Sequence, residues 1–183
     1  MSKIIDLSTF DIRFPTSEFL DGSDAMNPDP DYSAAYLILH TNGQYEGHGL
    51  TFTIGRGNEI CISAIQALRP LIVGLDLDWI RKDLGRFWKY ITGDSQLRWI
   101  GPEKGAIHLA TGAVVNAVWD LLSKEEKKPV WQFVSEMKSE DIIKIIDFSY
   151  ITNVITPEEG LSILKTLEES KSDRISKLML EGY

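Results

Sequence analysis

The sequence predicts an α+β fold in which a three-stranded antiparallel sheet is covered by helices. Three observations support this prediction. Residues in the first third of the chain alternate between apolar and polar types, as half-buried strands do. Asn42-Gly43 separates two of these segments and favours a hairpin turn. From residue 58 onward, apolar residues recur at helical spacing.

The three strands follow one another in the chain, so we expect a meander. The first strand covers residues 4–14 and ends at Pro15, which cannot continue a ladder. The second strand covers residues 34–40 and the third covers residues 45–54. One face of such a sheet requires a covering layer.

Helices are expected to form that layer. The first helix begins at Asn58, which we interpret as its N-cap, and a second covers residues 78–91. A third covers residues 105–123 and a short fourth covers residues 130–137. The third helix carries small residues that permit another helix to approach closely, namely Ala110, Gly112, Ala113 and Ala117.

The pattern changes near residue 144. Residues 144–154 are apolar and rich in β-branched and aromatic types, which predicts a strand of a buried sheet. Thr156, Pro157 and Glu159 then form a capping-box pattern that starts one or two amphipathic helices. We therefore divide the chain into a domain of residues 1–140 and a segment of residues 141–183.

Composition and charge argue against several classes of partner. The 183 residues carry a formal net charge of −8, whereas nucleic acids and anionic membranes attract clustered Lys and Arg. The apolar runs are too short to span a membrane. The sequence starts without a signal or transit pattern, and Cys61 is a single cysteine, so we expect an intracellular, cytoplasmic protein.

Residues 110–134 resemble the N-terminal signature of the mandelate racemase group of the enolase superfamily. They join a small-residue helix to Trp119-Asp120-Leu121, a lysine and Pro129-Val130-Trp131. Val115 departs from the pattern, because that group often carries an acidic residue at this position. Further segments are similar to L-fuconate dehydratases, so that the resemblance covers almost the whole chain: residues 11–17, 23–26, 29–36, 97–105 and 146–152.

The resemblance implies an enolase-type capping domain followed by the truncated start of a (β/α) barrel. Such enzymes abstract a proton beside a carboxylate, stabilise the enediolate with Mg²⁺ and expel a hydroxyl, giving a 2-keto-3-deoxy acid. The family's Lys-x-Lys pair lies in the barrel, and no Lys-x-Lys occurs in this sequence. Residues 141–183 are too few for a barrel of about 200 residues or more. We therefore expect no catalytic residue and no metal ligand in this chain, with Mg²⁺ held by the barrel.

The resemblance also implies a substrate lid. A loop between the first two strands corresponds to residues 16–32, and its substrate-contacting positions fall on Gly22, Ser23, Asp24 and Tyr32. A carboxylate and a phenol bind sugar hydroxyls by hydrogen bonds, and glycine permits close backbone approach. The alternative is that residues 21–24 form an ordinary solvated turn.

Two glycines and the three histidines are further candidate functional residues. Gly55 and Gly57 precede a helix, either as an anion-binding turn in a second lid loop or as the helix start alone. His40, His48 and His108 are interpreted as structural rather than catalytic, because none belongs to a recognisable site.

Two functional hypotheses follow. The first is that the chain is the capping part of a Mg²⁺-dependent dehydratase acting on L-fuconate or a similar acid sugar. The second is a naturally short, non-catalytic product that binds or regulates, for example by docking on full-length subunits. Homo-oligomer formation stays open, and the resemblance adds a mitochondrial location to the cytoplasmic alternative.

Overall fold

The computed structural model describes residues 2–101 and 105–182. Three strands, β1 (Ile4–Arg13), β2 (Ser33–Thr41) and β3 (Gly47–Thr53), form one antiparallel sheet in that order. The predicted meander is confirmed, and each strand ends within two residues of its predicted position.

Helices make up most of the remaining described chain. Short 3₁₀ helices occur at Thr16–Phe19 and Arg98–Ile100. The α-helices are α1 (Asn58–Ile72), α2 (Leu77–Lys82), α3 (Leu84–Thr92), α4 (Ala106–Glu125), α5 (Val130–Glu136), α6 (Ser139–Ile145), α7 (Pro157–Glu168) and α8 (Lys171–Glu181). The predicted α+β fold is confirmed.

The hydrophobic core lies between one face of the sheet and helices α1 and α4. Leu37 and Leu39 of β2 are fully buried there, together with Ile65 of α1 and Val114 of α4. By length and composition alone α4 is apolar enough to cross a membrane. Its apolar residues are instead buried against β3 and α1, which makes it the central helix of a globular core.

Helix α4 lies in direct backbone contact with β3. A Cβ atom added at Gly49 would overlap the carbonyl oxygen of Ala113, and one added at Gly47 would overlap that of Ala117. The small residues of this helix therefore admit a strand as well as the neighbouring helix that the sequence predicted. The side chain of Asp120 adds a polar link, since its carboxylate accepts a 2.8 Å hydrogen bond from the His48 backbone N–H.

Two predicted helix boundaries are wrong. Asn58 is not an N-cap: Gly57 (φ +95°) precedes the helix, and the buried Asn58 amide donates to the Asp11 carboxylate at 2.6 Å. The single helix predicted over residues 78–91 is two helices. Asp83 separates them because its backbone is extended and its carboxylate accepts a 2.8 Å hydrogen bond from the Arg86 N–H, so that it caps α3.

The strand predicted over residues 144–154 is also wrong. Helix α6 ends at Ile145, and residues 149–154 form turns, in which the Ile151 N–H donates to the Phe148 carbonyl at 3.0 Å. A strand requires a neighbouring strand to satisfy its backbone groups. The described sheet consists of β1, β2 and β3, and none of them pairs with this segment.

The last two helices were predicted correctly. The Thr156 hydroxyl accepts a hydrogen bond from the Glu159 N–H at 3.2 Å, and the Glu159 carboxylate accepts one from the Thr156 N–H at 2.8 Å. This capping box starts α7, which packs on α6, while α8 packs on α5. Because α6 continues across residue 140, the division of the chain at that residue stays a prediction.

The contact between α4 and β3 predicts opposite effects for two glycine-to-alanine changes. Gly49→Ala should destabilise the fold by about 1–3 kcal/mol or more, since its Cβ meets backbone atoms that cannot move independently. Gly112→Ala is the matched control on α4, where a Cβ meets nothing within 4 Å. It should stabilise the protein by about 0.5–1 kcal/mol, because glycine is unfavourable inside a helix. Urea denaturation measures both, and a Gly49→Ala variant as stable as the original chain contradicts this packing.

Candidate functional site

The connection between β1 and β2 is a compact loop at one end of the sheet. Its two ends are joined by Thr16, whose hydroxyl donates to the Pro30 carbonyl at 2.8 Å and accepts from the Tyr32 N–H at 3.0 Å. The Asp31 carboxylate accepts hydrogen bonds from the hydroxyl (2.6 Å) and N–H (3.2 Å) of Ser17. These two hydrogen bonds are the main cause of the lowered pKa of Asp31. The loop is thus closed by its own side chains.

Gly22 and Tyr32, two of the predicted site residues, contact each other. The Tyr32 hydroxyl donates a 2.7 Å hydrogen bond to the Gly22 carbonyl. Gly22 has a φ of +71°, a left-handed backbone conformation that favours glycine, and an added Cβ would overlap the Tyr32 hydroxyl unless that side chain moved. The Tyr32 ring also lies against Phe52 of β3, with ring centroids 5.3 Å apart. Tyr32 therefore anchors the loop to the sheet.

Asp24 organises the exposed tip of the loop. Its carboxylate accepts hydrogen bonds from the N–H groups of Asn27 (2.7 Å) and Met26 (2.8 Å). The Asn27 hydrogen bond is the largest cause of the lowered pKa of Asp24, followed by that from Met26. Ser23 takes part through its backbone N–H, which donates to the Leu20 carbonyl at 3.1 Å. The predicted residues therefore form a defined turn, and their contact with a substrate stays a prediction.

The turn after β3 lies beside this loop. The Asp31 N–H donates to the Ile54 carbonyl at 3.2 Å. Gly55 (φ +116°) packs on Asp31 so closely that an added Cβ would lie 3.1 Å from the Asp31 Cβ. The exposed side chain of Arg56 consequently lies near the first loop, where its charge helps to lower the pKa of Asp31. The two predicted lid loops are neighbours in the fold.

A cleft of about 300 Å³ opens between the two loops. It is lined by residues 26–30 together with Ile54 and Arg56. Among the described residues that line it, Arg56 is the cation and Asp29 is the carboxylate. Sequence reasoning did not single out Arg56, although its position between Gly55 and Gly57 was the available signal. A guanidinium beside backbone and carboxylate oxygens provides donors and acceptors of the kind that a hydroxylated organic acid needs.

The three histidines lie outside the cleft. His40 hydrogen bonds with the Ser8 hydroxyl (2.8 Å) and the Glu46 carboxylate (2.6 Å), and His48 hydrogen bonds with the Tyr36 hydroxyl (2.7 Å). The His108 ring packs edge-on against Trp88, with centroids 5.5 Å apart. Each of the three histidines therefore contacts neighbouring side chains of the fold.

Within residues 2–101 and 105–182, no group of three or more His, Cys, Asp or Glu side chains is arranged to hold a metal ion. Mg²⁺ sites are built on carboxylate oxygens in octahedral geometry. The described donor groups do not fit such a site, and we assign no step of a metal-dependent reaction to them.

The sequence matches the model of a known protein family. Residues 30–134 match the N-terminal domain of the mandelate racemase / muconate lactonizing enzyme family. The chain belongs to this family. The resemblance to the enolase superfamily and the capping-domain fold are both confirmed.

Longer relatives match almost the entire chain. It is 54% identical over 169 residues to the L-galactonate dehydratase of Hypocrea jecorina and 48% identical over 183 residues to the mitochondrial enolase superfamily member 1 of Bos taurus. These matches cover 92% and 99% of this chain but 38% and 41% of the relatives. The crystal structure of the human mitochondrial enolase superfamily member 1 superposes with a TM-score of 0.94 at 46% identity, over 100% of this chain and 42% of that one. The chain thus spans about two fifths of the relatives' length.

The turn at residues 24–27 is expected to loosen in acid. The hydrogen bonds that lower the pKa of Asp24 stabilise the turn above the ordinary aspartate pKa of about 3.9, and this stabilisation is lost as pH falls through the lower folded pKa. The Asn27 amide signal, followed by NMR, should shift over that range. In Asp24→Asn, which keeps an acceptor oxygen but does not titrate, the shift should disappear. An unchanged titration in that variant contradicts the assignment.

Proposed function

We propose that this chain is the capping, lid-bearing part of a Mg²⁺-dependent dehydratase that acts on L-fuconate or a closely related acid sugar. The junction of the two loops supports the proposal most directly, because it places Arg56 and the loop tip beside one cleft at the end of the sheet. The relatives named as dehydratase and as enolase superfamily member support the reaction class. The name of the Bos taurus relative, mitochondrial enolase superfamily member 1, also supports a mitochondrial location.

In this proposal the chain binds and orients the substrate. Arg56 attracts the anionic sugar and donates to its oxygens. The Tyr32 hydroxyl oxygen accepts from a sugar hydroxyl while its own O–H continues to donate to the Gly22 carbonyl. Asp24 shapes the tip and presents an acidic group to sugar hydroxyls. Gly22 and Ser23 offer close backbone approach. The Mg²⁺ that the proposal requires would be held by the catalytic part of the longer protein, where it would neutralise negative charge on the reacting acid.

The chain alone is expected to be inactive. Incubation of the 183 residues with L-fuconate, L-galactonate or related acid sugars, with and without Mg²⁺, should give no 2-keto-3-deoxy acid above the buffer control. The reason is that the described residues contain no arrangement for holding the metal. Product formation that a substitution within this chain abolishes contradicts the proposal.

Substitutions in the two loops should impair recognition but not metal binding. In a chimera that joins this chain to the catalytic part of a longer relative, Arg56→Gln and Asp24→Ala should each lower kcat/KM roughly 10-fold or more, as expected for lost hydrogen bonds of charged groups. Tyr32→Phe should lower it roughly 2- to 10-fold, as expected for one neutral hydrogen bond. Mg²⁺ affinity should not change.

Glu18→Ala is the matched control for this experiment. Glu18 is an exposed acidic residue of the same loop, and its substitution should leave kcat/KM at the original value. Original kinetics in Arg56→Gln, Asp24→Ala and Tyr32→Phe together would show that the loop is only a solvated turn. The family assignment would stand in that case.

A further inference from the structure

A chain of hydrogen bonds on the sheet joins a serine, a histidine and a glutamate in that order. The Ser8 Oγ lies 2.8 Å from His40 Nε2, and His40 Nδ1 lies 2.6 Å from the Glu46 Oε1. Ser8 belongs to β1, His40 belongs to β2, and Glu46 lies in the turn between β2 and β3. We call these three residues the Ser8–His40–Glu46 relay.

The carboxylate determines which nitrogen of the His40 ring carries the proton. An ionised carboxylate only accepts hydrogen bonds, so its contact with Nδ1 requires a proton on that nitrogen. In the neutral ring Nε2 is then the acceptor, and the Ser8 hydroxyl donates to it. The lone pair of Nε2 therefore faces the serine proton. Serine hydrolases place their nucleophile, general base and orienting acid in this relation.

The register of the sheet positions the serine and the histidine. Ser8 pairs with Ile38 and Asp6 pairs with His40, so Ser8 and His40 are diagonal neighbours on one face of the β1–β2 ladder. Leu39, between Ile38 and His40, points into the buried core instead. Side chains on paired strands keep their separation more precisely than side chains on loops. The nucleophile and its base are therefore held in place by the fold.

Apolar side chains lie beside the serine. Ile38 is directly opposite Ser8, and Phe10 follows two positions along the same face and is 47% exposed. These side chains can contact the acyl part of an apolar ester. The side chains of His40 and Glu46 are 29% and 50% exposed, so the relay is open to solvent. Because an open site gives the reacting carbonyl little electrostatic stabilisation, its substrates need a leaving group that is stable as an anion, as in aryl esters.

We propose that Ser8 is a nucleophile for acyl transfer from apolar aryl esters, with His40 as its general base and Glu46 as a positioning residue. Ser8 Oγ forms a bond to the ester carbonyl carbon while its proton moves to His40 Nε2. The bond between that carbon and the aryl oxygen then breaks, and the phenolate takes the proton. Water attacks the acyl-serine in the same way, which releases the carboxylic acid and restores the hydroxyl. The sum of the steps is ester and water to acid and phenol.

The relay lies away from the two loops of the proposed acid-sugar site. Those loops leave the sheet where Arg13 pairs with Ser33 and Ser33 pairs with Thr53. The relay is nearer the opposite end, where Glu46 belongs to the turn that joins β2 to β3. Ester hydrolysis by the relay requires neither an acid sugar nor a metal ion. A negative result would therefore leave the proposed function unaffected.

A fluorophosphonate reagent tests the nucleophile in the original 183-residue chain. A reactive serine oxygen displaces fluoride from phosphorus, and peptide mapping by mass spectrometry identifies the residue that carries the new group. We expect the label on Ser8. Ser63 is the internal control, because it is an exposed serine whose hydroxyl donates to the Glu59 carbonyl rather than to a histidine, and it should stay unlabelled. A chain that is labelled at other residues, or not at all, overturns the proposal.

Hydrolysis of 4-nitrophenyl butyrate measures what each residue contributes. Ser8→Ala should reduce the rate to that of the urea-unfolded chain, and His40→Gln should lower kcat about 100-fold or more, as expected for a lost general base. Glu46→Gln keeps an acceptor oxygen but loses the charge that stabilises the protonated ring. It should lower kcat roughly 10-fold with KM unchanged. His48→Gln is the matched control, because His48 bonds to the Tyr36 hydroxyl and not to a serine, and the rate should not change.

Circular dichroism verifies that each variant is folded, and the labelling of the original chain decides the matter if a variant unfolds. Hydrolysis that folded Ser8→Ala or His40→Gln leaves unchanged overturns the proposal. So does hydrolysis that His48→Gln lowers as much as His40→Gln, since that result would assign the reaction to exposed imidazole in general. An original kcat in Glu46→Gln removes Glu46 from the relay.

Discussion

The close contact of helix α4 with strand β3 is the constraint on which the rest of the structure depends. Gly47 and Gly49 of β3 have no side chains, and the backbone of α4 at Ala113 and Ala117 occupies the space where their Cβ atoms would lie. Asp120, the acidic residue of the family-like Trp-Asp-Leu segment, then satisfies an N–H of the edge strand at 2.8 Å. The resemblance in this segment thus has a structural explanation, because the same helix fixes the sheet and protects its edge.

This contact also determines what the sheet presents to its surroundings. With α1 and α4 on one face, the strand ends carry the two loops, and Tyr32 and Asp31 connect those loops to Phe52, Ile54 and Gly55. The opposite face remains apolar and open. The packing of these two helices on one face therefore separates three surfaces: a buried core, two loops at the end of the sheet and a broad exposed face.

Features controlled by neighbouring residues could be predicted from the sequence. The alternation of apolar and polar residues predicted the strands, and the spacing of Thr156 and Glu159 predicted the start of α7. The role of Asn58 could not be predicted, because its partner Asp11 lies 47 residues away. Residues 144–154 have a strand-like composition, but a strand also needs a neighbouring strand, and composition does not reveal one. In the connection between β1 and β2, the Gly22–Tyr32 contact crosses a folded loop, and Arg56 acquires its position only when Gly55 packs on Asp31.

The most direct test of the central claim, that these residues cap an acid-sugar dehydratase, is the turnover of a chimera. Residues 1–183 would replace the corresponding part of the longer L-galactonate dehydratase relative, and formation of the 2-keto-3-deoxy acid would be measured for L-fuconate and L-galactonate. The account predicts Mg²⁺-dependent turnover, with a ratio of kcat/KM values for the two acids that differs from that of the parent enzyme. A chimera that folds and binds Mg²⁺ but dehydrates neither acid contradicts it.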